Sequence, residues 1–150
     1  MDKSTEILKA ARARAKEMRL PYEGALTPAE AFAVLQENPN AKLVDVRSGA
    51  ELDFVGRVPG SVEIEWKSYP GMLPNPNFVQ QLQSLVPPTA LVMFLCRSGG
   101  RSHETALAAT QAGYTETYNV LEGFEGDRDG NRHRNTVSGW RAAGLPWIQS

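Results

Sequence analysis

Apolar residues gather in short blocks along this chain, and the spacing within each block predicts its conformation. The runs 42–46 (KLVDV) and 90–95 (ALVMFL) are short, β-rich and almost wholly apolar, the pattern of strands buried on both faces. Segment 61–65 (SVEIE) alternates like a half-exposed strand, and 117–121 (TYNVL) predicts a further one. Between them lie helical patterns. Thr27-Pro28-Ala29-Glu30 reads as an N-cap, a proline in the first turn and a reciprocal capping glutamate, opening a helix that runs to about Asn38. Segments 78–86 (FVQQLQSLV) and 102–112, the latter closed by Gly113, predict two more helices. A last helix is expected over 137–143, stopped by Gly144 and Pro146, after a polar stretch at 126–135. Upstream, Ser4 is placed to cap a first helix with Ile7, Leu8, Ala11, Ala15 and Met18 near one face, expected to end at Leu20-Pro21.

Strands alternating with helices imply an α/β fold: a mostly parallel central sheet with helices on both faces and right-handed crossovers. The division expected is an N-terminal helical extension over 1–24 and one domain over 25–150. In such sheets ligands bind beyond the carboxyl ends of the strands.

Composition narrows the function classes. At 150 residues, 22% charged and 41% hydrophobic, the chain is globular and long enough to bury a core without staples. Its single cysteine, Cys96, excludes an internal disulfide and a multi-cysteine zinc site, and favours a reducing compartment. Sixteen basic against seventeen acidic residues do not favour nucleic acid as a partner. No run approaches the roughly 20 apolar residues of a membrane helix. The first twenty residues lack the apolar segment of a secretory signal, so a cytoplasmic protein without a membrane partner is expected.

The most informative stretch is ALVMFLCRSGGRSHETALAA, which sets Cys96 where a buried strand ends, before the polar loop Arg97-Ser98-Gly99-Gly100-Arg101 and a helix. A cysteine attacks as thiolate, and a helix N-terminus with nearby arginines favours that form. Gly99 and Gly100 allow successive backbone amides to converge on one anionic centre. Arg97 and Arg101 can bind an oxyanion. Ser98 and Ser102 add donors, with Ser102 also placed to cap the helix. A lone cysteine is otherwise commonly a small buried hydrophobe, but the strand, loop and helix frame favours a reactive one.

Cys96-Arg97-Ser98-Gly99-Gly100-Arg101-Ser102 resembles the active-site loop of rhodanese-like sulfurtransferases. Asp45-Val46-Arg47-Ser48 with Glu51, then Val58-Pro59-Gly60-Ser61, resembles that family's N-terminal signature, and Gly139-Trp140-Arg141 through Leu145-Pro146 its closing segment. The likeness covers roughly 26–147. Arg57 stands where many members have histidine, and the interval from Glu51 to Gly56 is one residue longer than usual. The resemblance implies that Cys96 takes sulfur from a small donor such as thiosulfate, becomes a persulfide and passes the sulfur to a thiol or cyanide acceptor, including a protein thiol. Cys96 and Arg101 would be catalytic, with Arg97, Ser98, Gly99, Gly100, Ser102 and Arg47 binding substrate. No metal and no organic cofactor is called for.

Two other classes compete. Cysteine phosphatases and arsenate reductases of related fold place five residues between cysteine and arginine, whereas four separate Cys96 from Arg101. The shorter loop suits one sulfur better than a tetrahedral phosphate. A regulatory rhodanese-like binding module, or a persulfide carrier served by a protein donor, is the other alternative. Asp45 and Arg47 are expected to form a structural pair behind the loop, with Arg47 able to reach the pocket mouth, and His103 to lie on the surface. Asp127-Arg128-Asp129-Gly130-Asn131 opens like a calcium loop but has Arg132 and Ser138 where glycine and glutamate are needed. Arg128, Arg132, His133 and Arg134 form either a solvated loop or a positive rim beside the pocket.

Overall fold

The computed structural model describes residues 3–149. In chain order the elements are α1 (Lys3–Glu17), β1 (Gly24–Leu26), α2 (Pro28–Glu37), β2 (Ala41–Asp45), α3 (Gly49–Phe54), β3 (Val62–Glu63), β4 (Lys67–Ser68), β5 (Leu73–Pro74), α4 (Phe78–Leu85), β6 (Leu91–Leu95), α5 (Gly100–Gln111) and β7 (Glu116–Val120). Five strands form one parallel sheet in the order β1-β7-β6-β2-β3, and β4 pairs with β5 in a separate antiparallel hairpin.

Strand alternation divides the core into two layers. Leu43, Leu91, Met93, Leu95, Tyr118 and Val120 meet Leu8 and Ala11 of α1 and Ala31 and Val34 of α2 on one face. Val44, Val92, Phe94 and Cys96 meet Phe78 and Leu82 of α4 and Ala106 and Ala109 of α5 on the other. Helices therefore cover both faces, and β6, buried along its whole length, contributes to both layers.

The capping box expected at Thr27 and Glu30 is present: Thr27 Oγ1 accepts from the Glu30 amide at 3.3 Å, and Glu30 Oε1 accepts from the Thr27 amide at 2.8 Å. The expected helix over 137–143 is not there. The segment folds as turns, because the Trp140 and Arg141 amides donate to the carbonyls of Gly123 and Phe124 and seat the indole of Trp140 fully inside the core. Long-range backbone pairing and one large buried ring outweigh local helix propensity here. Segment 61–65 likewise forms only the two-residue strand β3, while β1, α3 and the β4-β5 hairpin were not expected. Among the described residues no helix is long and apolar enough to cross a membrane.

Candidate active site

Sheet order fixes where chemistry can occur. From β6 the chain crosses to β7 on one side, and from β2 it passes through α3 to β3 on the other. The connections diverge between β6 and β2, and the crevice that opens at such a point is where parallel sheets bind ligands. Cys96 leaves β6 at one wall, and the segment carrying Ser48 and Glu51 leaves β2 at the other.

Cys96 is 1% exposed, so its sulfur lies at the floor of the loop, shielded from bulk water. The Gly99 amide donates to Sγ at 3.1 Å, and Ser102 Oγ lies 3.2 Å from the same sulfur. Gly99, at φ 108°, sits in the left-handed region at the N-cap of α5, so the helix begins at Gly100 and not at Ser102. This corrects the capping role expected of Ser102. Held one turn inside the helix, its hydroxyl is free to face the cysteine and to donate to Asn119 Oδ1 at 2.6 Å.

Asn119 is oriented by its other contacts. Its Nδ2 donates to the Gly99 carbonyl at 3.2 Å and to Tyr22 Oη at 3.3 Å, and Tyr22 Oη lies 2.7 Å from His103 Nδ1. A polar chain thus runs from Cys96 through Ser102, Asn119 and Tyr22 to His103, which is half-buried and not a surface residue. Asn119 and Tyr22 were missed by sequence reasoning. A polar amide between Tyr118 and Val120 in a buried strand, on the same face as Cys96, was the available signal for Asn119.

The crevice is bridged by charge. Arg101 donates to both carboxylate oxygens of Glu51, at 2.7 and 2.9 Å. Glu51 also accepts from the Ser48 amide and hydroxyl in a capping box that starts α3. Burial pushes the Glu51 carboxyl up, but Arg101 and the two Ser48 donors outweigh it and bring the pKa down to about 2. Burial also works against the Arg101 cation, and Glu51, with smaller contributions from Cys96 and Asp45, raises its pKa instead. Arg101 is thus charged and fixed beside the cysteine, with its guanidinium engaged by α3.

Arg47 departs from expectation. It is fully buried on the opposite sheet layer from Cys96, donating to Asp45 at 2.7 Å and to the Gly56 carbonyl at 2.8 Å, with its guanidinium 4.2 Å from the centre of the Phe124 ring. Its Nη1 has no hydrogen-bond partner among the described residues. The Asp45–Arg47 pair is structural, as expected, and Arg47 does not reach the pocket mouth. Arg57 likewise serves the fold, bonding Asp53 and Glu63. Arg97 is exposed and Ser98 and Gly99 are half-buried, so the loop presents its backbone inward and the Arg97 side chain outward.

A second segment braces the loop. The Phe124 amide donates to the Cys96 carbonyl at 2.8 Å, and those of Glu125 and Gly126 donate to the Arg97 carbonyl at 3.0 and 3.2 Å. A Cβ at Gly123 would lie 2.5 Å from the Cys96 oxygen, so only glycine permits this approach. Among the described residues no group of three or more His, Cys, Asp or Glu could hold a metal ion.

Comparison with known proteins agrees with this geometry. An uncharacterized protein of Rickettsia conorii is 36% identical over 120 residues, covering 79% of this chain and 91% of that one. The thiosulfate:glutathione sulfurtransferase of Saccharomyces cerevisiae is 33% identical over 85 residues, covering 55% and 60%. The crystal structure of Rv0390 from M. tuberculosis superposes with a TM-score of 0.80 at 46% identity, covering 86% of this chain and 99% of that one. Residues 28–129 match the rhodanese-like domain, and with the cysteine loop at the carboxyl end of a parallel sheet the chain belongs to that family.

Proposed function

We propose that this protein is a sulfurtransferase that carries sulfane sulfur as a persulfide on Cys96. The observation that carries this reading is the contact of the Gly99 amide with Cys96 Sγ, at the floor of a six-residue loop from Cys96 to Arg101. The Gly100, Arg101 and Ser102 amides open α5 and have no acceptor among the described residues, so the helix N-terminus adds positive potential at the same place. Such a site suits the negative terminal sulfur of a persulfide.

In the first step the Cys96 thiolate attacks the outer sulfur of thiosulfate. The new S–S bond forms as the bond to the sulfonate breaks, and sulfite leaves with the electron pair. In the second step a thiolate or cyanide attacks the outer sulfur and Cys96 departs as thiolate. Two displacements replace one difficult transfer, with no external oxidant or reductant. Arg101, held by Glu51, balances the negative charge of donor and persulfide, and Arg97 draws the dianion towards the loop. The cytoplasm, where thiols stay reduced, suits a lone working cysteine.

The yeast relative's name supports this reading. So does the spacing of Cys96 and Arg101, one residue shorter than a phosphate-binding loop of related fold. Intact-mass spectrometry after incubation with thiosulfate should show the mass of one added sulfur atom, lost on treatment with cyanide and absent from Cys96→Ser. Hydrolysis of aryl phosphates by the native protein, with no added sulfur, would overturn the reading in favour of a phosphatase.

A further inference from the structure

A cavity of about 420 Å³ lies on the outer side of the cysteine loop, lined by Ser98, Asp127, Arg128, Asp129, Arg132 and Arg134. Its place is fixed by the loop itself, because the Gly126 amide that begins this wall donates to the Arg97 carbonyl. The wall is ordered. Asp129 accepts from the amides of Asn131 and His133 and from the Thr136 hydroxyl, and Arg134 returns a hydrogen bond to the Gly126 carbonyl at 2.6 Å. Asp129 is thereby engaged within its own loop. Arg128 and Arg132 are exposed, and their guanidinium groups have no partner among the described residues.

We propose that this cavity is the acceptor subsite and that it takes the carboxylate-bearing end of an organic thiol, with Arg128 and Arg132 as the residues that select it. The inference rests on the sulfurtransferase reading. Thiosulfate is too small to fill both the loop and a cavity beyond Ser98, whereas an acceptor whose sulfur enters the loop must leave its remaining atoms outside. The volume falls within the range of small-molecule sites. Three arginines face two aspartates there, and planar guanidinium groups match carboxylates in paired hydrogen bonds. In the transfer, the bound thiolate attacks the outer sulfur of the persulfide, its own proton having gone to solvent. The bond from that sulfur to Cys96 Sγ breaks, and Cys96 is regenerated as thiolate.

The test is the ratio of kcat/KM for glutathione, which bears two carboxylates, to that for the neutral thiol 2-mercaptoethanol, with thiosulfate as donor. In R128A/R132A this ratio should fall about tenfold at low salt and less at high salt. In R128E/R132E it should fall further, and the cationic thiol cysteamine should become the better acceptor. A ratio unchanged in both variants overturns the subsite. Equilibrium binding of S-methylglutathione, measured by calorimetry, separates this result from failure of the sulfurtransferase reading, because it needs no turnover. Loss of that binding in R128E/R132E supports the subsite even in a protein that transfers no sulfur. Equal binding to native protein and variant, or none to either, sinks it.

Discussion

A serine hydroxyl has one proton, and at Ser102 that proton has two claimants. Asn119 Oδ1 is 2.6 Å away and Cys96 Sγ is 3.2 Å away. The Gly99 carbonyl fixes the Asn119 amide with its nitrogen on the far side, so Oδ1 faces Ser102 and takes the proton. Ser102 then accepts from a Cys96 thiol. When Cys96 is a thiolate, the same proton stabilises sulfur only by leaving Asn119. Removing Asn119 should therefore release Ser102 to the sulfur, whereas removing Ser102 deprives the thiolate of a donor. Alkylation of Cys96 by iodoacetamide at fixed neutral pH is expected to quicken about tenfold in Asn119→Ala and to slow by a similar factor in Ser102→Ala, in line with the strength of a hydrogen bond to a charged group. Changes of the same sign in both variants would show that the pair acts through packing alone.

At the scale of elements, α3 and α5 form one electrostatic unit across the crevice. The six-residue helix α3 is held at its start by the Ser48–Glu51 capping box, and the same Glu51 carboxylate grips Arg101 in the first turn of α5. Its pKa of about 2 lies below the ordinary 4.5, so the folded state binds this proton less readily than the unfolded chain. The stabilisation is complete above about pH 4.5 and is lost as pH falls through about 2. The full shift corresponds to roughly 3 kcal/mol, and screening of a partly solvated pair reduces it to about 1–2 kcal/mol. Urea unfolding at pH 5 and pH 3 should show a smaller loss of stability on acidification in Glu51→Gln than in the native protein, and an equal loss would remove the pair from the stability account. The capping signal for α3, serine followed three residues later by glutamate, is as plain in the sequence as that of α2, but without a long apolar stripe it was not distinguishable from a loop. Strands β2, β6 and β7 were legible because each clusters buried apolar or β-branched residues in a short span, unbroken in β6 and interrupted by polar positions in β2 and β7. β1 was not, since three residues carry no period. Cys96 and its loop were legible because their chemistry is local. Glu51, Tyr22 and Asn119 reach that loop only through tertiary packing, from 50, 81 and 17 residues away from the groups they bond.

Over the whole molecule, the first helix belongs to the core and extends the layer opposite Cys96. Leu8, Ala11 and Ala15 are buried, and Leu8 and Ala11 pack with Leu26 of β1 and with Ala31 and Val34 of α2. Arg14 ties the helix down by donating to Glu30 at 2.9 Å and to the Ala25 carbonyl. β1 is one of the two edge strands of the sheet, and α1 packs against it. Leu8 is 8% exposed, so its truncation leaves a gap at this seam that the layer cannot wholly close. Leu8→Ala should cost about 2–3 kcal/mol of unfolding free energy in urea, near the low end for buried leucines. Leu85, 59% exposed on α4, is the matched control, and Leu85→Ala should cost less than about 0.5 kcal/mol. The seam lies on the far side of the sheet from the cysteine, so reactivity of Cys96 in folded Leu8→Ala should match the native rate. Equal costs for the two leucines would mean that α1 is an appendage lying against a domain already complete without it.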